Sequence, residues 1–344
     1  MRKPGMSRVL ALCVAGALAF IPLWLTATEQ RYFHLGDLGL EGGGVIRDAR
    51  LGYRTFGVLN ASRSNAVVFP TWLMGTSGDL AALIGPGKVV DSSRYFVVAI
   101  DSFGNGVSSS PSNSTGQKGR SFPDLTTGDM VRAQLRLITE ELGIPRLHAV
   151  VGISMGGMQA YQWMATCPDR VRKVVPITGT PGPTSYDLLL YRTELAALEA
   201  NGDGKGWDDR SLSVVAGIDA MMSNTPGHFI DTVRGHEGLP AHLERITKDM
   251  GRQDPRDRAS QLKAMIGHNV TAVLKKSAGT AGKTVPRVLT VVSKRDLMVN
   301  PGPALELADL SGARTLVLDS GCGHYIFQCE FDRIAAAVSA FLDE

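Results

Sequence analysis

The stretch that decides the fold reads Val150-Val151-Gly152-Ile153-Ser154-Met155-Gly156-Gly157-Met158. An apolar, β-branched run enters a G-x-S-x-G turn, and a helical pattern through Gln159 and Trp163 follows at once. A strand that becomes a helix within one residue leaves no space for side chains beside the turn, hence the glycines. The turn lifts the serine Oγ to the edge of the sheet, at a helix N-terminus. It also leaves the backbone N–H of Met155 able to meet developing negative charge. With an inert serine, the same residues would be only a tight strand–helix connection.

Working outward, residues 66–69, 95–100, 149–153 and 173–177 are short apolar runs bounded by turn residues, as buried parallel strands should be. Residues 33–40 and 45–53 read as a hairpin around Glu41-Gly42-Gly43-Gly44. Between 128 and 142, apolar residues recur at helical spacing (Met130, Val131, Leu135, Leu137, Ile138, Leu142), and Gly143 ends the run. Strands alternating with helices predict a doubly wound, mostly parallel α/β sheet. From about 182 to 283 no strand signal occurs, only helical stretches, glycine-rich turns and charge (201–206, 248–258). That is too long for a plain loop, so it is read as a helical cap insertion in one domain spanning 28–344. The α/β pattern resumes with a strand at 287–292, a helix at 303–310, a strand at 315–318 and a helix at 331–342.

The chain has 344 residues, 36 basic and 33 acidic, and 44% of it is hydrophobic, which excludes general disorder. Residues 1–27 hold Arg2, Lys3 and Arg8 and no acid, so they account for the whole net charge of +3. The balanced remainder shows no basic stripe, and nucleic acid is not an expected partner. A basic start, the apolar run 9–25 and Thr26-Ala27-Thr28 read as a secretory signal peptide, placing the protein in the periplasm or outside the cell. The alternative is an uncleaved membrane anchor over 9–25, the one expected route to a membrane. Cys322 and Cys329 are either bridged or two small buried residues. With no C-x-x-C spacing and scattered histidines, no metal is expected.

A serine alkoxide is too basic to form unaided, so a histidine oriented by an acid is required, in the chain order Ser, acid, His. Asp296 follows the strand at 287–292 and His324 the strand at 315–318. Both stand where open α/β sheets carry their sites, at the C-terminal ends of strands. Asp319, five residues before the histidine, is the competing acid and the less favoured. His34, His148, His228, His236, His242 and His268 are read as surface or core histidines. The second oxyanion donor is expected in the loop 70–78, with Leu73 N–H first and Trp72 next.

These residues resemble the homoserine O-acetyltransferase family of α/β-hydrolases. The likeness includes Leu83-Ile84-Gly85-Pro86-Gly87-Lys88, the run from Asp91 to Val97, the elbow with Trp163, Pro168-Asp169-Arg170-Val171, and Gly323-His324. It implies an α/β-hydrolase fold with a helical cap, and a ping-pong mechanism in which Ser154 takes an acyl group and passes it on. It also implies a cap arginine for the homoserine carboxylate and an acid after the catalytic histidine for the amine. Here residues 211–222 hold no arginine, Arg210 lies just outside them, and Tyr325 follows the histidine. Without these handles an acyl-enzyme is open to water. The expected activity is a serine esterase on a small-molecule, short-acyl ester, with no cofactor. The alternative is an O-acyltransferase with a different acceptor. A lactonase, thioesterase or amidase, or a binding protein with a relic triad, ranks lower. Trp72, Tyr325 and Met222 are expected in the pocket, and Val214, Val215, Ile218 and Met221 line it or form the cap's own core. A cap of this kind can also serve as a homodimer face.

Overall fold

The computed structural model describes residues 29–200, 209–278 and 286–344. The readings made on residues 1–27 lie outside them. Among the described residues, eight strands form one sheet in the order β1-β2-β4-β3-β5-β6-β7-β8. The strands are β1 (Arg31–Gly39), β2 (Val45–Phe56), β3 (Ala66–Pro70), β4 (Phe96–Ile100), β5 (Leu147–Ile153), β6 (Val171–Ile177), β7 (Arg287–Ser293) and β8 (Arg314–Leu318). β1 and β2 pair antiparallel, as do β2 and β4, and every pairing from β4 through β8 is parallel.

The parallel strands are apolar throughout because both faces of the sheet are covered. Alternate residues of β5 serve the two sides: Val150 packs into one core, Ala149 and Val151 into the other. The first core takes Met130 and Val131 of α1 (Thr127–Arg136) and Met158 and Trp163 of α2 (Met155–Thr166). It also takes Leu307 of α9 (Gly302–Ser311). The second takes Ile334, Val338, Phe341 and Leu342 of α10 (Phe327–Asp343), an i, i+4, i+7, i+8 stripe. Each such buried side chain stabilises the fold by about 1.5–3 kcal/mol.

Between β6 and β7 the described residues form only helices: α3 (Ser185–Glu199), α4 (Asp209–Ser223), α5 (Pro226–Thr232), α6 (Gly235–Met250), α7 (Pro255–Ile266) and α8 (Thr271–Ala278). α3 starts at a capping box in which Thr184 Oγ1 accepts from Asp187 N–H and the Asp187 carboxylate accepts from Thr184 N–H. Leu212, Val215, Ala216 and Met250 form a small core inside this helical segment. No described helix is long and apolar enough to cross a membrane.

Candidate active site

The elbow is fixed by backbone crowding. A Cβ on Gly152 would lie 2.0 Å from Gly156 O, and one on Gly156 would lie 2.5 Å from Pro70 O. Ser154 is left at φ +55°, ψ −120°, a strained conformation for a residue with a side chain. Its N–H donates to Ile177 O at 2.9 Å, which ties the turn to β6.

Ser154 Oγ lies 2.9 Å from His324 Nε2, and His324 Nδ1 lies 2.7 Å from Asp296 Oδ2. Asp296 Oδ1 accepts from Met298 N–H and Val299 N–H, each at 2.9 Å, so its carboxylate is held in one orientation. A carboxylate only accepts; the hydrogen therefore sits on His324 Nδ1, and the Nε2 lone pair faces the serine hydroxyl. His324 and Asp296 are buried. Asp319, the competing acid, is exposed and paired with Arg295 and Lys294 instead.

The loop after β3 carries the second candidate oxyanion donor. Met74 sits there at φ +59°. Its N–H donates to Gln261 Oε1 at 2.7 Å, while Gly75 N–H donates to Trp72 O. Leu73 lies between these anchored positions, and Leu73 and Trp72 both line the cavity in front of Ser154. Met155 is the first residue of α2, where an N–H has no partner within the helix.

Each loop of the site is held from the helical segment. Gln261 of α7 is fully buried and also donates from Nε2 to Phe103 O, so it clamps the loop of Leu73. Asp187 Oδ1 accepts from Asn300 N–H, and Tyr191 Oη donates to Met298 O, so α3 clamps the loop of Asp296. Thr225, the N-cap of α5, donates through N–H and Oγ1 to Gly321 O in the loop of His324. That last loop is closed by a disulfide between Cys322 and Cys329, with Cα atoms 6.1 Å apart. Of the two readings left open for these cysteines, the bridged one is observed. His228 approaches them, but both sulfurs are bonded to each other rather than available as thiolates.

The cavity in front of Ser154 measures about 470 Å³. Trp72 and Tyr325 line it as expected; Met222 does not. Its sulfur lies near Tyr186 Oη instead, because α4 presents that residue toward α3. Of the two readings for Val214, Val215, Ile218 and Met221, as cavity lining or as the helical segment's own core, the lining holds for none of them. Only Asp219 of that stretch reaches the cavity, while Val215 packs in the segment's own core and Val214 and Met221 are exposed.

In its place stands a cluster that sequence reasoning missed. Arg258 of α7 is buried and donates from Nη2 to Glu194 Oε2 at 3.0 Å and to Asp219 Oδ2 at 2.7 Å. Desolvation, then the Asp219 charge beside it, pushes the Glu194 pKa up to about 8. Glu194 is thereby biased toward its neutral form beside the Arg258–Asp219 ion pair. Arg258 is the one guanidinium among the described residues lining this cavity. A usable signal existed: Arg258, Leu262 and Met265 stand at i, i+4, i+7, which puts the arginine on the buried face of its helix.

Comparison with known proteins agrees with this geometry. The alpha/beta hydrolase fold model matches residues 75–328. A probable esterase of Corynebacterium glutamicum is 41% identical over 185 residues, 53% of this chain and 53% of that protein. The matched part thus spans about half the length of that relative. A homoserine O-acetyltransferase of Thermobifida fusca is 28% identical over 356 residues, 91% of this chain and 94% of that protein. Among solved structures, an acetylester hydrolase from Corynebacterium glutamicum superposes with a TM-score of 0.84 at 27% identity, covering 92% of this chain and 96% of that one. The chain belongs to the α/β-hydrolase fold family and, within it, resembles the homoserine O-acetyltransferase-like members.

Proposed function

We propose that this protein is a serine esterase that hydrolyses short-acyl carboxylic esters through an acyl-enzyme on Ser154. The observation that carries this reading is the unbroken hydrogen-bonded line Ser154–His324–Asp296 at the wall of the 470 Å³ cavity. Ser154 Oγ attacks the ester carbonyl as His324 Nε2 takes its proton. The Leu73 and Met155 amides receive the oxyanion. The C–O bond to the alcohol then breaks, and His324 returns the proton to the leaving oxygen. Water repeats the sequence: His324 removes its proton, the acyl carbon passes to the water oxygen, and Ser154 recovers its hydrogen. Asp296 stays ionised throughout and stabilises the imidazolium.

Hydrolysis is favoured over transfer to homoserine by what surrounds the serine. Tyr325 stands where the transferases carry an acid. Arg258 is already paired through Nη2 with two carboxyl groups, those of Glu194 and Asp219. The esterases among the similar proteins, including the acetylester hydrolase, support the same reading and a short acyl group. Transfer to another acceptor is the competing outcome. Release of p-nitrophenol from acetyl, butyryl and octanoyl esters, with and without alcohol or homoserine, separates the two. Free acid as sole product, at a rate indifferent to acceptor and greatest for acetyl, is expected. Acylated acceptor, formed faster as acceptor is added, would overturn hydrolysis.

Export is also part of this proposal. It is supported by the basic start and apolar run of residues 1–25 and by the Cys322–Cys329 disulfide, a bond that persists in oxidising compartments. N-terminal sequencing of the protein recovered from the periplasm or medium should begin just after residue 27. Recovery from the cytoplasm with reduced cysteines would contradict export.

A further inference from the structure

Cys322 and Cys329 close a ring around the catalytic histidine. Between them, His324, Tyr325, Phe327 and Gln328 all line the cavity in front of Ser154. The ring is set off from the helix that follows it. Glu330, the residue after Cys329, has φ −124° and ψ 21°, outside the helical region, so α10 is interrupted there. The rest of α10 packs on the sheet through Ile334, Val338, Phe341 and Leu342. Opening the ring therefore loosens the segment that carries His324 while the sheet keeps its cover.

The two sulfurs are not equivalent. Cys322 is fully buried, and its N–H donates to Ser320 Oγ, whereas Cys329 is exposed. Thiol–disulfide exchange runs through the accessible sulfur and the better leaving thiolate. Access selects Cys329 Sγ for attack, which makes Cys322 Sγ the one that leaves. His228 Nε2 stands 3.7 Å from Cys322 Sγ, within reach to donate a hydrogen to the thiolate formed there. His228 belongs to α5, whose N-cap Thr225 already holds Gly321 O of the same loop. The free thiol among the described residues, Cys167, is buried in the core on the α2 side of the sheet and takes no part.

We propose that the Cys322–Cys329 bridge is a thiol–disulfide exchange site, and that its opening by a small thiol of the glutathione class slows ester hydrolysis by releasing His324. The thiolate of a first molecule bonds to Cys329 Sγ, the S–S bond breaks, and its electron pair leaves on Cys322 Sγ. A second thiolate bonds to the sulfur of the first and frees Cys329 as a thiolate. The protein gains two electrons, the small thiols end as one disulfide, and the protein sulfurs take up the protons those thiols gave up.

The proposal rests on ester hydrolysis at Ser154. To test it, the full chain is incubated with reduced glutathione without oxygen and quenched in acid at intervals. Adducts and free thiols are mapped by mass spectrometry, and kcat for ethyl acetate is read on desalted samples. The first adduct is expected on Cys329. As the bridge is lost, kcat should fall about tenfold, a larger change than in KM, with Tm still above the assay temperature. Glutathione disulfide should restore the rate. Cys329→Ser, which cannot bridge, should show the low rate with no thiol present. His228→Leu should slow opening severalfold while the bridged variant keeps its hydrolysis rate within about twofold. An unchanged kcat with the bridge fully open, or a loss explained by a Tm below the assay temperature, would make the bridge a structural staple and overturn the proposal. A first adduct on Cys322, or opening of His228→Leu at the wild-type rate, would contradict the exchange geometry. Absence of Ser154-dependent turnover in the bridged enzyme would remove hydrolysis itself, and this proposal with it.

Discussion

At the sheet edge, the position of Ser154 is dictated by backbone atoms: added side chains at Gly152 or Gly156 would collide with carbonyl oxygens 2.0 and 2.5 Å away. In the helical segment, Arg258, Glu194 and Asp219 are held by charge and hydrogen bonds, from three helices far apart in the chain. The two regions tolerate error differently. A crowded backbone admits one conformation, and its requirements are written in consecutive residues. A buried ionic cluster depends on every member, because the loss of one leaves a charge without its partner. The position of Ser154 comes from the first kind of construction. The loops that carry Leu73, Asp296 and His324 are each anchored by the second region.

The largest effect should come from the sheet edge. Asp296→Asn removes the acceptor that fixes the His324 tautomer and should lower kcat by roughly 10³–10⁴ with the fold intact. Asp319→Asn should leave steady-state rates within about twofold, since its partners are surface charges. The reverse pattern would move the acid to Asp319.

In the helical segment, Arg258→Met strands the Asp219 carboxylate and should reduce stability by about 3–5 kcal/mol, read from urea unfolding. An unchanged midpoint would mean that the cluster is not held by charge.

A smaller effect tests the link between the regions. Gln261→Leu leaves the Met74 N–H without its acceptor and loosens the loop of Leu73. It should lower kcat about tenfold with KM little changed, because an oxyanion donor acts mainly in the transition state. Gln261→Glu, which keeps the acceptor, should recover part of the rate. A loss confined to KM would place Gln261 in substrate binding instead.

The smallest effect is a pH slope. The Glu194 pKa is raised from 4.5 to about 8, so the folded protein keeps a proton that the unfolded chain sheds in between. The stability from this group is complete at acid pH and is lost as pH rises through about 8. Glu194→Gln holds the neutral form and should flatten the fall in Tm between about pH 6 and 8. A slope equal to the wild type would contradict the assignment of that proton to Glu194.

The same contrast governs what could be read in advance. Ser154, Asp296 and His324 follow strand ends in the order the elbow requires, and strand ends are visible as short apolar runs. The helices between β6 and β7 were legible as helices, but their faces were misjudged. Residues 211–222 admitted two readings, a cavity lining or the segment's own core; α4 turns Val215 into that core, leaves Val214 and Met221 exposed and sends only Asp219 to the cavity in front of Ser154. Arg258 sits at the end of a charged run that resembles a solvated surface. Only its spacing to Leu262 and Met265 sets it apart. Which carboxylates meet it depends on how α3, α4 and α7 pack, a long-range property that local pattern does not contain. Gln261 was hidden for the same reason, as its two partners lie near Met74 and Phe103.

The most direct measurement is to quench the enzyme during turnover of p-nitrophenyl acetate and map any acyl adduct by mass spectrometry. The prediction is one added acetyl group, located on Ser154, that decays at the rate of free acid release and is absent from Ser154→Ala. Turnover that persists in Ser154→Ala, or an adduct on another residue, would contradict an acyl-enzyme at the elbow.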